Sequence, residues 1–251
     1  MKSMEWDAKK YNTTHDFVFK YGAGLLELLP KEPKKVLDIG CGTGELTNRM
    51  AELGHEVTGI DQSVNMINQA KESYPDLIFL QEDILNPSDQ IGLYDVAFSN
   101  AVFHWIPDQE LLLKNISEHL NMKGQLICEF GAVGNVQMIR EAFGRELNAL
   151  GVPFEEPFCF TSVEDYRILL EKNHFDVVEM LEYERPTPLK GQKAGLREWM
   201  EQFYASELGE LSENQKEQLF VNMEQELAPR LWKKDHWEAD YRRLRVNALK
   251  R

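Results

Sequence analysis

Short apolar runs alternate with amphipathic helical patterns through the first two-thirds of the chain, and this alternation limits its fold more than any other feature. Five of the runs are typical of buried strands: "KKVLDIG", "EVTGID", "DLIFLQEDI", "YDVAFSN" and "QLICEF". Strand–helix alternation at this spacing predicts a parallel sheet with right-handed crossovers and helices on both faces. We therefore expect an α/β protein with a doubly wound sheet of seven mostly parallel strands.

Two further strands are expected later in the chain. The run "FDVVEMLEYE" predicts a sixth strand, and "YRRLRVNALK", in which apolar and polar residues alternate, predicts a final strand at the sheet edge. The arginines of that last run, Arg242, Arg243 and Arg245, could form a basic patch. In so acidic a chain we expect them instead to be outward-facing strand residues.

Serines mark the expected starts of three helices. Ser63 is a good N-cap for the helix that follows the second strand. Ser162 with Asp165, and Ser212 with Gln215, match the spacing of a capping box.

The chain is predicted to be one domain, with additions around the sheet. The expected ranges are an N-terminal helical cover (1–30), the sheet core (31–186), a helical insertion (187–235) and the final strand (236–251). Ligands of open α/β folds bind beyond the carboxyl ends of the strands, so we expect the insertion to act as a substrate lid. The alternative is a helical pair that packs elsewhere as structural cover.

Composition and charge narrow the function further. The net charge of −14 and the pI near 4.9 argue against a nucleic-acid-binding protein, which needs a basic face. The three cysteines, Cys41, Cys128 and Cys159, are far apart, and no CxxC pair or HExxH helix occurs, so no metal site is predicted. We expect reduced thiols in a cytoplasmic protein. No signal-peptide pattern and no run of about 18 apolar residues is found, so export and membrane insertion are not expected.

The stretch "VLDIGCGTGELT" places three glycines at the first strand–helix junction. Gly40, Gly42 and Gly44 would let the backbone turn tightly and approach a ligand at the start of the helix. A dinucleotide fingerprint, G-x-G-x-x-G, would have its third glycine at Glu45, whose carboxylate would face the pyrophosphate. The observed pattern, D-x-G-x-G-x-G with Asp38 in front, suits a ligand with a cationic end. A dinucleotide-dependent dehydrogenase is therefore the weaker interpretation.

That pattern resembles the glycine loop of the class I S-adenosylmethionine-dependent methyltransferases, whose fold is Rossmann-like, and the resemblance extends along most of the chain. It implies S-adenosyl-L-methionine as the cofactor. It also implies that Asp61, in "VTGIDQS", accepts hydrogen bonds from both ribose hydroxyls and that Gln62 lies next to the adenine. Asp83, in "QEDI", would bond the adenine amino group, with Ile84 against the ring.

The motif "YDVAFSNAVFHWIPD" resembles the fourth-strand motif of the same family. The resemblance implies that Asn100 and Ala101 border the methionine part of the cofactor and its transferable methyl. Alone, Asp61 could be a helix-capping neighbour and Asp83 a solvated strand-end charge, but their order along the chain favours the family. The full set of expected cofactor-binding residues is Tyr11, Asp38, Gly40, Cys41, Gly42, Gly44, Asp61, Gln62, Met66, Asp83, Ile84, Asn100 and Ala101.

Shorter strings are similar to one branch of the family. "SNAVFHWIPD", the spacing of Trp6 and Tyr11, and the closing "DYRRLRVNALK" resemble the branch that contains the trans-aconitate 2-methyltransferases and the malonyl-acyl-carrier O-methyltransferases. The resemblance implies O-methylation of a carboxylate on a small-molecule acceptor. C- or N-methylation of another metabolite, and a non-catalytic cofactor-binding protein, remain alternatives.

The acceptor determines which further residues are needed. A carboxylate is already ionised at neutral pH and needs no base, whereas a phenol, an amine or a carbon acid does. His104 is the candidate base, and its alternative role is to line the pocket or cap a turn.

Aromatic and basic side chains are the other candidates for contacts with the ligands. Trp105 is expected to wall a pocket, and Tyr11 and His15 could close over the cofactor. Arg197, and after it Arg140, could bind an acceptor carboxylate, although either could be a solvated surface arginine.

Overall fold

A computed structural model describes residues 24–251 of the chain. Tyr11, His15, the spacing of Trp6 and Tyr11, and most of the expected N-terminal cover lie outside the described residues. The first described residues, 24–26, are helical.

The strands, in chain order, are β1 (Lys35–Ile39), β2 (Glu56–Asp61), β3 (Ile78–Gln81), β4 (Tyr94–Asn100), β5 (Leu120–Gly131), β6 (Phe175–Glu184), β7 (Thr187–Pro188), β8 (Trp232–Lys233), β9 (His236–Ala239) and β10 (Arg242–Lys250). The helices are α1 (Glu45–Glu52), α2 (Val64–Ser73), α3 (Gln109–Glu118), α4 (Gln137–Ala149), α5 (Val163–Lys172), α6 (Gly195–Phe203), α7 (Ala205–Gly209) and α8 (Glu213–Leu231). Single 3-10 turns cover Phe103–Trp105 and Gln192–Ala194.

Seven strands form one sheet in the order β3-β2-β1-β4-β5-β10-β6. The pairs β1·β2, β1·β4, β2·β3 and β4·β5 are parallel. Successive residues of β1 enter different apolar clusters: Val36 packs with Leu25 and Met50, and Leu37 packs with Leu112 and others. The sheet is therefore covered on both faces, which confirms the doubly wound α/β prediction.

The predicted helix starts are confirmed. The Ser63 hydroxyl accepts a hydrogen bond from the Met66 N–H at 3.4 Å, and the Ser162 hydroxyl accepts one from the Asp165 N–H at 3.1 Å. At Ser212 both halves of a capping box are formed. These caps depend on residues within one turn of each other, so the sequence alone could indicate them.

The last strand differs from its prediction. β10 lies between β5 and β6, so it is an internal strand and β6 is the edge. Because both faces of an internal strand are covered, only Arg242 of the three arginines is exposed. Arg243 is 3% exposed, and Arg245 pairs with the buried Glu129. The expectation that all three face outward was wrong.

The described chain divides into two compact units. The first contains residues up to Ala132, Thr161–Glu182 and Leu244–Arg251, and the second contains Val133–Phe160 and Tyr183–Arg243. These bounds differ from the predicted ranges, because α4 belongs to the second unit. A three-stranded sheet in the order β7-β9-β8 also lies there. It was not expected, because strands of two to four residues are too short to show a period in the sequence. A lid function for this unit stays a proposal.

Candidate functional site

The loop between β1 and α1 turns tightly against β2. The backbone N–H groups of Gly40 and Cys41 both donate to the Ile60 carbonyl oxygen, at 2.8 and 3.0 Å. Gly40, Gly42 and Gly44 all have positive φ, at 71°, 55° and 87°. Residues with a Cβ rarely adopt this conformation, so the backbone path itself requires glycine here.

The three glycines meet different surroundings. A Cβ on Gly40 would lie 2.3 Å from a methyl of Val102, and one on Gly44 would lie 2.7 Å from the ring of Phe79. A Cβ on Gly42 would meet no atom of residues 24–251 within 4 Å. Gly40 and Gly44 therefore allow close packing of the protein on itself. Gly42 leaves open space beside the loop, which fits the approach of a ligand.

Asp61, the last residue of β2, is tied to this loop. Its Oδ2 accepts a hydrogen bond from the Gly42 N–H at 3.0 Å, and its Oδ1 accepts one from the Ser63 N–H at 2.9 Å. Two backbone donors thus fix the orientation of the carboxylate. Since a carboxylate offers about four acceptor positions, it can also accept hydroxyl groups of a ligand.

Asp38 lies behind the loop and is 2% exposed. The Thr47 hydroxyl donates to its Oδ2 at 2.6 Å. Burial raises the pKa of Asp38 to about 7; the Thr47 hydrogen bond acts in the opposite direction, and the negative charge of Asp61 adds to the rise. A cationic group placed nearby would favour the charged carboxylate. Sequence reasoning missed Thr47, although a hydroxyl in the first turn of the helix after the loop was a usable signal.

Glu45, the position of the missing third glycine, is engaged by two side chains. The Tyr74 hydroxyl donates to its Oε2 at 2.7 Å, and Arg49 lies 3.5 Å from its Oε1. Burial and the bond to Glu45 raise the pKa of Tyr74 to about 12.

Asp83 shapes the turn after β3. Its Oδ1 accepts the Leu85 N–H at 2.9 Å, and its Oδ2 accepts the side-chain amide of Asn86 at 3.3 Å. Ile84 is 5% exposed, so it is part of the core beside this turn.

The remaining predicted cofactor residues differ in exposure. Gln62 is exposed, whereas Met66 and Cys41 are buried. Burial raises the pKa of the Cys41 thiol.

The end of β4 carries a strained residue. Asn100 lies opposite Glu129 of β5, and the following Ala101 has a φ of 62° while its N–H donates to the Glu129 carbonyl oxygen at 2.7 Å. A non-glycine residue in this conformation costs of order 1–3 kcal/mol, and such residues cluster at functional sites.

His104 is 6% exposed, and its Nδ1 accepts a hydrogen bond from the Gly131 N–H at 3.2 Å. Nδ1 therefore carries no proton, and the neutral ring holds its proton at Nε2. In this tautomer the ring is a hydrogen-bond donor at Nε2. This arrangement fits the pocket-lining role better than the general-base role. Trp105 is half-buried, with its ring centroid 5.6 Å from that of His104.

The two predicted acceptor arginines lie in the second unit. Arg197 of α6 is bound by two carboxylates of α8: Nε and Nη2 contact Glu224 at 2.6 and 2.8 Å, and Nη1 contacts Glu217 at 2.8 Å. Arg140 of α4 pairs with Glu156. Their roles toward an acceptor stay predictions.

The polar residues predicted for the cofactor come from the ends of neighbouring parallel strands. Asp38, Asp61 and Asn100 lie at the ends of β1, β2 and β4, and Asp83 follows β3 by two residues. Because β3, β2, β1 and β4 are adjacent, these residues share one edge of the sheet. Ligands of open α/β sheets bind at this edge.

The described residues lack two features that would suggest another kind of function. Within 24–251, no group of three or more His, Cys, Asp or Glu side chains is placed to hold a metal ion. In the same range, no helix is long and apolar enough to cross a membrane.

Comparison with known proteins places the chain in a family. Residues 15–180 match the methyltransferase domain family. An uncharacterized methyltransferase of Schizosaccharomyces pombe is 33% identical over 210 residues, which cover 79% of this chain and 80% of that protein. The trans-aconitate 2-methyltransferase of Deinococcus radiodurans is 35% identical over 133 residues, 51% of this chain and 50% of that enzyme. The chain thus matches about half the length of that enzyme.

Solved structures share the fold. The phosphoethanolamine N-methyltransferase 2 of Haemonchus contortus, in complex with S-adenosylhomocysteine, has a TM-score of 0.58 at 18% identity, over 97% of this chain and 56% of that one. The magnesium protoporphyrin IX methyltransferase of Synechocystis, also with bound S-adenosylhomocysteine, has a TM-score of 0.57 at 15% identity, over 100% of this chain and 90% of that one.

The chain therefore belongs to the methyltransferase domain family. With its fold and its glycine loop, it is a class I S-adenosylmethionine-dependent methyltransferase whose cofactor is S-adenosyl-L-methionine.

Proposed function

We propose that this methyltransferase transfers its methyl group to a carboxylate oxygen of a small organic acid. The observation that carries the proposal is the hydrogen bond from the Gly131 N–H to Nδ1 of His104, which keeps the proton of the ring at Nε2. A ring in this state does not serve as a base, and a carboxylate acceptor needs none, because its ordinary pKa is near 4. The similarity to the trans-aconitate 2-methyltransferases supports the same acceptor class.

The cofactor is proposed to lie along the edge formed by the ends of β1 to β4. The open space beside Gly42 would admit it, and the carboxylate of Asp61 would accept the ribose hydroxyls. Asp83 and Ile84 would contact the adenine, with Gln62 and Met66 nearby. Asp38 would face the cationic end together with Asn100 and Ala101.

The cofactor, when bound, would supply a methyl group on a positively charged sulfur; an O–C bond to the acceptor would form as the C–S bond broke, and the electron pair of the broken bond would remain on sulfur. The chain has to align the acceptor oxygen with this bond and keep water out. No proton needs to move, which agrees with a His104 that donates at Nε2. We further propose a cytoplasmic location, which three free cysteines support.

Amine and carbon acceptors form the second class of candidates. They require removal of a proton, and the tautomer of His104 gives them no support. A protein that binds the cofactor without turnover is the third candidate, and a turnover assay separates it from the other two.

The cofactor part of the proposal is tested by calorimetry with S-adenosylhomocysteine. Asp61→Ala is expected to weaken binding at least about tenfold, because two hydrogen bonds to an ionised group are lost. Asp95→Ala is the matched control: Asp95 also accepts a backbone N–H, from Lys35 at 3.1 Å, but at the start of β4. Equal affinity of the Asp61→Ala and Asp95→Ala variants would show that the ribose site is misplaced.

The acceptor part is tested by release of S-adenosylhomocysteine with trans-aconitate. We expect turnover that does not fall as the pH drops from 8 to 6, because the acceptor carboxylates stay ionised in this range. Turnover with amine or phenol acceptors alone would contradict the proposal.

A further inference from the structure

Helix α3 carries two buried amide side chains. Asn115 is 6% exposed and Gln109 is 7% exposed. Leu112, Leu113 and Ile116 of the same helix are fully buried in the core of the first unit. Burial of an amide is unfavourable unless its donors are hydrogen-bonded, and an apolar residue is the ordinary occupant of such a position. The two amides are therefore expected to have specific partners.

Asn115 donates to the turn after β3, which covers residues 83–86. Its Nδ2 lies 2.8 Å from the Ile84 carbonyl oxygen and 3.1 Å from the Leu85 carbonyl oxygen. One amide group of α3 thus holds two consecutive carbonyl groups of this turn. Because its apolar residues anchor α3 in a closely packed core, the donor itself has a fixed position.

The turn after β3 is shaped by its own hydrogen bonds. The Asn86 N–H donates to the Asp83 carbonyl oxygen at 2.8 Å. The Asp83 carboxylate accepts the Leu85 N–H at 2.9 Å and the Asn86 side-chain amide at 3.3 Å. These bonds join residues of the same turn, so they fix its shape but not its place beside the sheet. The two bonds from Asn115, together with the buried side chain of Ile84, connect the turn to the core.

Asp83 keeps the capacity to bind a ligand in this arrangement. Its side chain is half-buried, and each carboxylate oxygen accepts one hydrogen bond within the turn. Since an ionised carboxylate offers about four acceptor positions, each oxygen can accept one more donor, such as the amino group of a purine. Hydrogen bonds weaken steeply outside a narrow range of distance and angle. The strength of this contact therefore depends on where the turn is held.

We propose that Asn115 is a positioning residue for the adenine end of the cofactor, and that it holds Asp83 where the carboxylate meets the amino group of the purine. The inference rests on the proposed function, in which Asp83 contacts the adenine. Without the Asn115 amide, the carbonyl groups of Ile84 and Leu85 lose a donor, and the turn moves towards water to regain one. Preference for a 6-aminopurine then has a second determinant, which touches no part of the cofactor.

The test is calorimetry of the full chain with two ligands: S-adenosylhomocysteine, and S-inosylhomocysteine, in which an oxygen replaces the purine amino group. The wild type is expected to bind the adenine compound about thirtyfold more tightly, because the inosine compound lacks the donor to a charged acceptor. Asn115→Leu keeps the size of the side chain but removes the amide, and it is expected to reduce this affinity ratio to about fivefold or less. Asn115→Ser, which retains one donor, should give an intermediate ratio, and it replaces Asn115→Leu if that variant does not fold.

Gln109→Met is the matched control. The Gln109 amide also donates from α3 to two backbone carbonyl oxygens, those of Phe103 at 2.7 Å and Ile106 at 2.5 Å, but these follow β4 instead of β3. Gln109→Met should keep the wild-type affinity ratio, whatever its effect on stability. The ratio is independent of the folded fraction, since both ligands titrate the same preparation. An equal decrease of the ratio in Gln109→Met and Asn115→Leu would show a general disturbance of α3 and would overturn the positioning role.

Asp83→Ala separates this inference from the proposed function. If Asp83→Ala abolishes the preference for the adenine compound but Asn115→Leu keeps it, the inference is overturned and the proposed adenine contact stands. If the wild type binds both compounds equally, or Asp83→Ala keeps the preference, the proposed adenine contact fails and the inference fails with it. A reduced ratio in both Asp83→Ala and Asn115→Leu, with the wild-type ratio in Gln109→Met, supports both.

Discussion

At the scale of single residues, Asp38 shows how burial sets chemistry. Its carboxylate is inside the protein, its hydrogen bond from Thr47 favours the charged form, and its pKa is nevertheless raised from 3.8 to about 7. Burial therefore outweighs the hydrogen bond. Between these two pH values the folded protein holds a proton that the unfolded chain releases.

The sign of the effect follows from that proton. Because the folded state binds more protons, the free energy of unfolding falls as the pH rises from about 4 to about 7, and the loss is complete above that range. Asp38→Asn cannot ionise at this position, so it serves as the reference. Relative to it, the free energy of unfolding of the wild type should fall by up to about 4 kcal/mol between pH 4 and pH 7. Urea unfolding at pH 5 and pH 8 measures most of the difference.

Asp95 provides a control of the opposite kind. Hydrogen bonds from the Lys35 N–H and the Asn121 amide lower its pKa, so its carboxylate is ionised in both states above pH 5. Asp95→Asn should change stability equally at pH 5 and pH 8. An Asp38→Asn variant that parallels the wild type at both pH values would contradict the buried-carboxylate account.

At the scale of elements, the loop between β1 and α1 separates two uses of glycine. In Gly40→Ala a Cβ would lie 2.3 Å from Val102, a β-branched side chain with little freedom to move, and φ would stay at 71°. We expect the free energy of unfolding to fall by about 2–4 kcal/mol. In Gly42→Ala the Cβ meets none of the described residues and the positive φ opposes the change, so a loss of about 1 kcal/mol is expected.

The effect of a glycine substitution on cofactor affinity should not follow its effect on stability. Gly42→Ala fills the space beside the loop and is expected to weaken S-adenosylhomocysteine binding about tenfold or more in calorimetry, by steric exclusion. Gly92→Ala is the control, since its Cβ would meet no atom of the described chain within 4 Å and its φ is not positive. If Gly42→Ala binds as tightly as Gly92→Ala, the cofactor does not approach this part of the loop.

Local patterns explain what the sequence could predict of these elements. Apolar runs located the strands of the large sheet, and serines such as Ser63 located helix starts, because both signals lie within a few residues. The glycine spacing likewise located the loop, and the strand ends located Asp61 and Asp83. The roles of these residues toward the cofactor stay predictions.

Contacts between distant segments could not be predicted. The burial of Arg243 depends on the place of β10 inside the sheet, and no local pattern encodes strand order. The tautomer of His104 depends on the N–H of Gly131, which lies 27 residues away. Tyr204 is buried among the rings of Phe143 in α4, Trp199 in α6 and Phe154 in the segment between α4 and α5. Each of these features is set by contacts that only the tertiary structure reveals.

At the scale of the whole molecule, the last strand of the chain, β10, lies between β5 and β6, and a buried ion pair connects it to β5. Nε and Nη2 of Arg245 both lie 2.8 Å from Oε2 of Glu129, whose side chain is 1% exposed. The two residues are 116 positions apart. Their pairing therefore joins two strands that are distant in the sequence.

Removal of either partner of this pair should destabilise the protein. Arg245→Met is expected to lower the free energy of unfolding by about 3 kcal/mol, because it removes the cation that compensates a buried carboxylate. Glu129→Gln should cost less, since the Arg245 side chain is 21% exposed and water can solvate its charge. In the double variant the buried group at position 129 is neutral and needs no cation. The decrease in the free energy of unfolding of this variant should therefore be smaller than the sum of the two single decreases by at least about 1 kcal/mol. Urea unfolding of all four proteins at pH 7 measures the coupling energy, and strict additivity would show that the pair does not stabilise the contact between β10 and β5.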